Sequence, residues 1–312
     1  MDFSIIIPVY NEKNSLKILN EKIYSSLNNL RKSWEIIYVD DGSTDGSDQE
    51  LKDIFDKSEN VKVISFNRNY GQTQAIAAGF DNADGQKIII MDADLQNDPA
   101  DIPKLLHKLE EGYDLVSGWR INRQDNLLLK KIPSFLANKL SLRVSKVKIH
   151  DLGCTLKAYR RELLENIEFY GEIHRFLPFC AAMQGAKIAE IPVKHYKRKF
   201  GKSKYGIWRG FRIILDLFPL IFAWKFITKP IYFFGGIGLF LIGLSAITAF
   251  FIIIRKLFWA GVWVSPLLFL FVILLSIGVQ FILMGIMMEF IIRLYQGSCG
   301  QKRYKIKKIL KK

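Results

Sequence analysis

The chain has 312 residues, half of them hydrophobic, with 45 Lys and Arg against 30 Asp and Glu for a formal charge of +15. That apolar share and an aromatic content of 13% exclude a disordered chain, and the length accommodates two ordinary domains or one enzyme domain plus a membrane module. Cys154, Cys180 and Cys299 have no C-x-x-C spacing, so neither a disulfide framework nor a thiolate zinc site is encoded, and four scattered histidines argue against a histidine metal centre.

The first residues carry no basic leader and only a short apolar run, which is expected as a β-strand rather than a signal peptide. In chain order, strands are expected at Ser4–Val9, Glu35–Val39, Val61–Phe66, Lys87–Met91, Leu115–Ser117 and Lys187–Val193. Helical patterns lie near Ser15–Leu30, Ser47–Lys57, Thr73–Phe80, Ile102–Glu111, Ser134–Ser145 and Arg160–Asn166. Alternating strands and helices predict an α/β fold with a mostly parallel sheet covered on both faces. Ligands of such sheets bind beyond the carboxyl ends of the strands.

Acidic turns follow the first, second and fourth strands: Pro8-Val9-Tyr10-Asn11-Glu12, Asp40-Asp41-Gly42-Ser43-Thr44-Asp45-Gly46 and Asp92-Ala93-Asp94-Leu95-Gln96-Asn97-Asp98. Like charges gathered on one edge are costly unless cations or hydrogen-bond donors stand among them. Asp45 and Asp98 fit helix caps. Asp92, Asp94 and Gln96, at i, i+2 and i+4 leaving a strand, offer hard oxygen ligands for Mg²⁺ or Mn²⁺.

Farther along, residues 231–254 and 265–288 carry no charge. Each span of ~24 residues covers ~36 Å at ~1.5 Å per residue, enough to cross a ~30 Å hydrocarbon layer. The short connection predicts a transmembrane hairpin, with the glycines of the first span serving close helix packing rather than nucleotide binding. Segment 194–212 has eight Lys or Arg and no acid, and the tail 302–312 has seven more. The positive-inside bias then places the N-terminal domain and the tail in the cytoplasm. Anionic lipid headgroups explain this charge better than nucleic acid. Between 205 and 230, aromatic and basic residues alternate as in amphipathic interfacial helices.

The expected organisation is a catalytic domain over 1–204, interfacial helices over 205–230, two transmembrane helices within 231–292, and a basic tail over 293–312. The turns quoted above, with Ser117-Gly118-Trp119-Arg120, His150-Asp151-Leu152-Gly153-Cys154 and Arg198-Lys199-Phe200-Gly201-Lys202-Ser203-Lys204-Tyr205, resemble those of the family 2 glycosyltransferases of the GT-A fold. With the two spans they resemble the branch that charges a polyprenyl phosphate with one sugar, as dolichyl-phosphate mannose synthases and bacterial undecaprenyl-phosphate glycosyltransferases do. The Q-x-x-R-W signature of processive synthases is absent.

The resemblance implies an inverting, metal-dependent transfer of one monosaccharide from a nucleotide sugar, UDP-linked in preference to GDP-linked, to polyprenyl phosphate at a bacterial inner membrane. It implies a donor pocket of Pro8, Tyr10, Glu12, Asp40, Asp41, Arg198 and Lys204, and a metal seat of Asp92, Asp94 and Gln96. It also implies Arg120 and Arg123 on the acceptor phosphate, with Lys130 and Lys131 as further cations, Asp151 as candidate base, and self-association. His150 is expected to be structural. Two alternatives stay open: transfer to another lipid or a protein, and a non-catalytic, membrane-anchored nucleotide-sugar-binding protein.

Overall fold

Ile5, Ile6 and Ile7 point alternately to opposite faces of a strand, and each face finds its own helices. The computed structural model describes residues 1–121, 149–165, 167, 169, 173–198, 230–258, 266–297 and 304–311. The strands are β1 (Phe3–Val9), β2 (Trp34–Asp40), β3 (Val61–Phe66), β4 (Lys87–Ile90), β5 (Leu115–Trp119), β6 (Lys157–Arg160), β7 (Ile188–Pro192) and β8 (Ile306–Leu310). The helices are α1 (Lys13–Leu27), α2 (Ser47–Lys57), α3 (Gln72–Asp81), α4 (Ile102–Glu110), α5 (Arg161–Glu165), α6 (Leu177–Met183), α7 (Pro230–Phe258) and α8 (Pro266–Gly297). The expected helix Ser134–Ser145, the interfacial helices, and Arg123, Lys130, Lys131, Gly201 and Lys204 lie outside the described residues.

Two compact units result, one formed by Met1–Phe218 with Lys302–Lys312, the other by Pro219–Gln301. In the first, the strand order is β7-β5-β6-β4-β1-β2-β3-β8. β1 to β4 are mutually parallel, β5 pairs parallel with β7, and β6 and β8 run antiparallel to their neighbours. On one face, Ile5 and Ile7 pack with Leu16 and Leu19 of α1, Leu51 of α2 and Leu105 of α4. On the other, Ile6 packs with Ile76 of α3, Leu163 of α5 and Leu177 of α6. Burying each such side chain contributes roughly 1.5–3 kcal/mol. Gly79 lets α3 lie close to the sheet, since a Cβ there would sit 2.4 Å from Ile6 Cγ2.

Two strands fall where none was expected. β6 begins within a turn-rich stretch and slots between β4 and β5. β8 lies in the basic tail and becomes the sheet's edge against β3, with Val63 opposite Leu310 and Ile64 opposite Ile309. Its outward lysines suit an edge strand, because they discourage further strand addition.

The second unit is an antiparallel pair of apolar helices, and its spans are longer than the charge-free stretches. The qualifying segments are Pro230–Phe258 and Pro266–Ile291, with Arg255 and Lys256 in the last turn of α7. Their large side chains face away from protein: Leu239 and Phe240 are each 66% exposed, and Phe250 and Phe290 each 65%. A core helix would cover those groups, so lipid is the medium that suits them. The helices meet at Gly238 and Gly278, where a Cβ on Gly238 would lie 2.7 Å from the Gly278 carbonyl oxygen. A Cβ on Gly236 or Gly243 would meet nothing within 4 Å among the described residues, so close packing accounts for only part of the glycine pattern.

Candidate active site

Strand directions bring the marked residues to one edge. The carboxyl ends of β1, β2, β3, β4, β5 and β7 all point the same way, and antiparallel β6 begins at that edge. The chain order reverses between β1 and β4, which makes the crevice above them the topological switch point. Tyr10–Glu12, Asp40–Asp41, Asp92–Gln96, Trp119–Arg120, Asp151–Thr155 and Tyr196–Arg198 surround it.

The first two turns are tied together by hydrogen bonds. Asn11, in the left-handed region at φ 55°, donates its N–H to Ser43 Oγ (3.0 Å) and accepts from the Thr44 N–H at Oδ1 (2.8 Å). The Glu12 N–H donates to Ser47 Oγ, and the Lys13 N–H to Asp45 Oδ2. Asp98 caps the 3-10 turn Pro99–Asp101 as expected, accepting from Ala100 N–H, whereas Asp45 lies one residue ahead of Gly46, the N-cap of α2, and accepts from Ser47 N–H as part of the turn.

Asp40 and Asp41 are buried and engaged by backbone amides. Asp40 accepts from Ser43 N–H at 3.0 Å, and Asp41 accepts from Tyr70 N–H at 2.6 Å and Gly71 N–H at 2.9 Å. Asp41 therefore holds the loop after β3. Gly42 is required beside it: its φ is +70°, and a Cβ would lie 2.5 Å from the Arg68 carbonyl carbon. Burial pushes Asp41 up to about 6, against the pull of the two amides, and burial also raises Asp40.

Asp92 and Asp94 leave β4 half-buried, with Leu95 at φ 63° between Asp94 and Gln96. Gln72 Nε2 donates to Asp92 at 2.7 Å, and the Thr155 hydroxyl also bonds it. Asp94 accepts from the Gln96 N–H. Burial, then the neighbouring Asp92 charge, push Asp94 up to about 7, while burial raises Asp92. Two carboxylates destabilised by each other and by desolvation fit a hard divalent cation such as Mg²⁺ or Mn²⁺. Among the described residues no three His, Cys, Asp or Glu cluster as a metal cage. A two-carboxylate seat leaves coordination positions for diphosphate oxygens. The Gln96 side-chain amide donates to the Tyr196 carbonyl at 3.3 Å, tying this turn to the strand-exit segment after β7. That segment delivers Arg198, which forms an ion pair with Glu12.

Across the crevice, Arg120 grips Asp151 with Nε to Oδ2 at 2.6 Å and Nη2 to Oδ1 at 2.9 Å. Asp151 also accepts from the N–H groups of Arg120 (3.3 Å) and Gly153 (3.2 Å). His150 stacks on Trp119 at 4.5 Å and contacts Glu190 through Nδ1, as suits a structural histidine. Pro8 and Tyr10 lie at the end of β1 and just beyond it, on the same edge.

Gln72, Thr155 and Lys157 were not singled out from sequence. Gln72 is uncharged and opens α3, and Thr155 precedes the unrecognised β6. Lys157 is buried, and its ammonium donates to the carbonyls of Leu152 and Cys154, fixing the Asp151–Cys154 turn from behind. Burial depresses its pKa.

The sequence comparisons agree with this architecture. The glycosyl transferase family 2 profile matches residues 4–168. Dodecaprenyl-phosphate galacturonate synthase of Rhizobium johnstonii is 39% identical over 314 residues, spanning 99% of this chain and 93% of that protein. Undecaprenyl-phosphate 4-deoxy-4-formamido-L-arabinose transferase of Proteus mirabilis is 37% identical, spanning 98% and 93%. In fold, the chain resembles the mannosyltransferase PcManGT of Pyrobaculum calidifontis, solved with GDP-Man and Mn²⁺ (TM-score 0.51, 21% identity, 72% of this chain and 68% of that one). It also resembles glucosyl-3-phosphoglycerate synthase of Mycobacterium tuberculosis with uridine diphosphate (TM-score 0.52, 18% identity, 70% and 80%). With the profile spanning most of the sheet, and with full-length relatives that share its sequence through both apolar helices, the chain belongs to glycosyl transferase family 2 and is a glycosyltransferase.

Proposed function

We propose that this membrane-associated glycosyltransferase moves one monosaccharide from a nucleoside diphosphate sugar to polyprenyl phosphate, with inversion, on the cytoplasmic face of a bacterial inner membrane. The observation that carries the reading is the placement of two charge systems on one sheet edge. The Asp92–Asp94 pair suits a cation-bound diphosphate, and the Arg120–Asp151 pair presents a guanidinium suited to a phosphate. The curated relatives named above are polyprenyl-phosphate sugar transferases over nearly the whole chain.

In this reading the nucleoside sits over the Tyr10–Glu12 and Asp40–Asp41 turns, bordered by Pro8. Asp92 and Asp94, with Gln96 beside them, hold Mg²⁺ or Mn²⁺. That ion supplies charge neutralisation at the departing diphosphate. Arg198, held by Glu12 in this structure, and Lys204 add positive charge there. Arg120, with Arg123 beyond it, receives the lipid phosphate, and Asp151 keeps Arg120 in place. A phosphate monoester has a second pKa near ~6, so the acceptor is already a nucleophile at neutral pH. The site has to align it with the anomeric carbon and shed little else.

The test is a reconstituted assay with the full chain, undecaprenyl phosphate, Mn²⁺, and a panel of UDP- and GDP-sugars that includes galacturonate and formamido-arabinose donors. Product lipid is extracted and its sugar and anomeric linkage determined by mass spectrometry and NMR. An α-linked donor giving a β-linked lipid phosphate supports the reading. Retention, or transfer only to a protein or another lipid, overturns it.

A further inference from the structure

We infer that Tyr304, in the segment that returns from the apolar hairpin to the sheet, is a positioning residue for the nucleotide-binding loop 67–72. The inference rests on the donor reading above for the meaning of that loop, and on separate contacts for the coupling.

The loop has two ends in the site. Its Tyr70 and Gly71 amides donate to Asp41, and Gln72 donates to Asp92. It thus spans the turn assigned to the nucleoside and the turn assigned to the diphosphate. Its backbone at Arg68 and Asn69 lies against Gly42 closely enough to exclude a Cβ. A displacement of the loop therefore moves donors at both carboxylates together.

Phe66 and Tyr304 hold the loop from the far side. Phe66, the last residue of β3, meets Tyr70 edge-on at 5.4 Å and 82°. The same Phe66 ring stacks on Tyr304 at 5.3 Å and 22°. The β3–β8 ladder is regular from Val63–Leu310 to Ser65–Lys308, then shifts so that Phe66 pairs with Ile306. Such an irregularity re-aims the chain. Here it accompanies the placing of Tyr304 over Phe66, with its hydroxyl donating to Asp81 Oδ2 at 2.5 Å at the end of α3. Tyr304 thereby fixes Phe66 directly and fastens the end of the helix whose first residue is Gln72. Aromatic pairs of this kind add modestly to burial, enough to bias a short loop and too little to decide whether the sheet folds.

The test uses the full chain in nanodiscs, with UDP and Mn²⁺ as the binding probe. In Tyr304→Ala, hydrogen exchange of the 67–72 amides is expected to quicken at least fivefold, with peptides of α1 and α4 unchanged. UDP affinity is expected to fall about five- to tenfold. Tyr304→Phe, which keeps the ring stack and loses only the bond to Asp81, should fall between wild type and Tyr304→Ala in both measures. Wild-type loop exchange in Tyr304→Ala overturns the inference. So does equal quickening throughout the sheet domain, which would mark general loosening, and so does a Tyr304→Phe defect as large as that of Ala. Failure of the wild-type chain to bind UDP would instead count against the donor reading and the affinity half of the inference, while the exchange measurement still tests the coupling of Tyr304 to the loop.

Discussion

Arg120 and Asp151 face each other through two hydrogen bonds of 2.6 and 2.9 Å, a fork-to-carboxylate contact in which the acid orients the guanidinium. Two backbone amides also donate to the acid. A carboxylate so occupied is better suited to holding Arg120 than to accepting a proton. Asp151→Asn should therefore reduce transfer at least tenfold by the same factor at pH 6 and pH 8, although acceptor ionisation changes across that range. A defect confined to pH 6 would restore Asp151 as a base. Arg120→Lys, which keeps charge and loses the fork, should raise the KM for the lipid phosphate about tenfold.

Asp94 carries opposite consequences for activity and stability. Asp94→Asn should abolish transfer at saturating Mn²⁺. Because burial and Asp92 raise Asp94 to about 7 from 3.8, the folded ligand-free protein binds more protons than the unfolded chain between those values. Stability then falls as pH rises through that window, and the cost is fully present above pH 7. Removing the charge should stabilise the ligand-free chain at pH 8 by about 1–2 kcal/mol, part of the ~4 kcal/mol that the whole shift represents. Thermal unfolding at pH 5 and pH 8, without metal, checks both sign and window.

The hairpin offers a paired control. Gly238→Leu would drive a side chain into the Gly278 carbonyl and Ile282, whereas Gly236 has open space around it. The first should lower the unfolding midpoint in detergent, by a loss of about 1–3 kcal/mol. Gly236→Leu should leave that midpoint unchanged.

The proposed orientation is open to labelling. β8 comes after both apolar helices and pairs with β3, which precedes them, as the proposed orientation with both flanks of the hairpin in the cytoplasm requires. A cysteine introduced at Gly261 should react with an impermeant thiol reagent applied outside cells. Cys154, Cys180 and a C-terminal reporter should stay protected, and external labelling of the reporter would reverse the proposed orientation.

The strands most legible in the sequence are those with long apolar runs. Ile5 to Ile7 and Ile36 to Val39 are buried on both faces of a parallel sheet, which leaves an apolar stretch bounded by polar turns. β6 is only Lys-Ala-Tyr-Arg, with a buried lysine satisfied by turn carbonyls, and reads as polar. β8 is masked by its lysines and becomes a strand only through a partner more than two hundred residues away. The acidic site residues were legible because charge after an apolar run is conspicuous. Gln72 and Thr155 were not, since neutral side chains acquire their meaning from the carboxylate they touch.

The late return of β8 also sets an order of assembly during synthesis. Until β8 itself leaves the ribosome, β3 remains an open edge, and its closing strand lies beyond two apolar helices in sequence. Contacts of that separation form last and leave the unfinished sheet prone to association. A chain whose hairpin inserted only one helix would strand β8 on the wrong side of the bilayer and leave that edge exposed. Under the proposed topology, completion of the sheet requires both helices to cross, and a misinserted chain would carry an exposed edge open to cellular quality control.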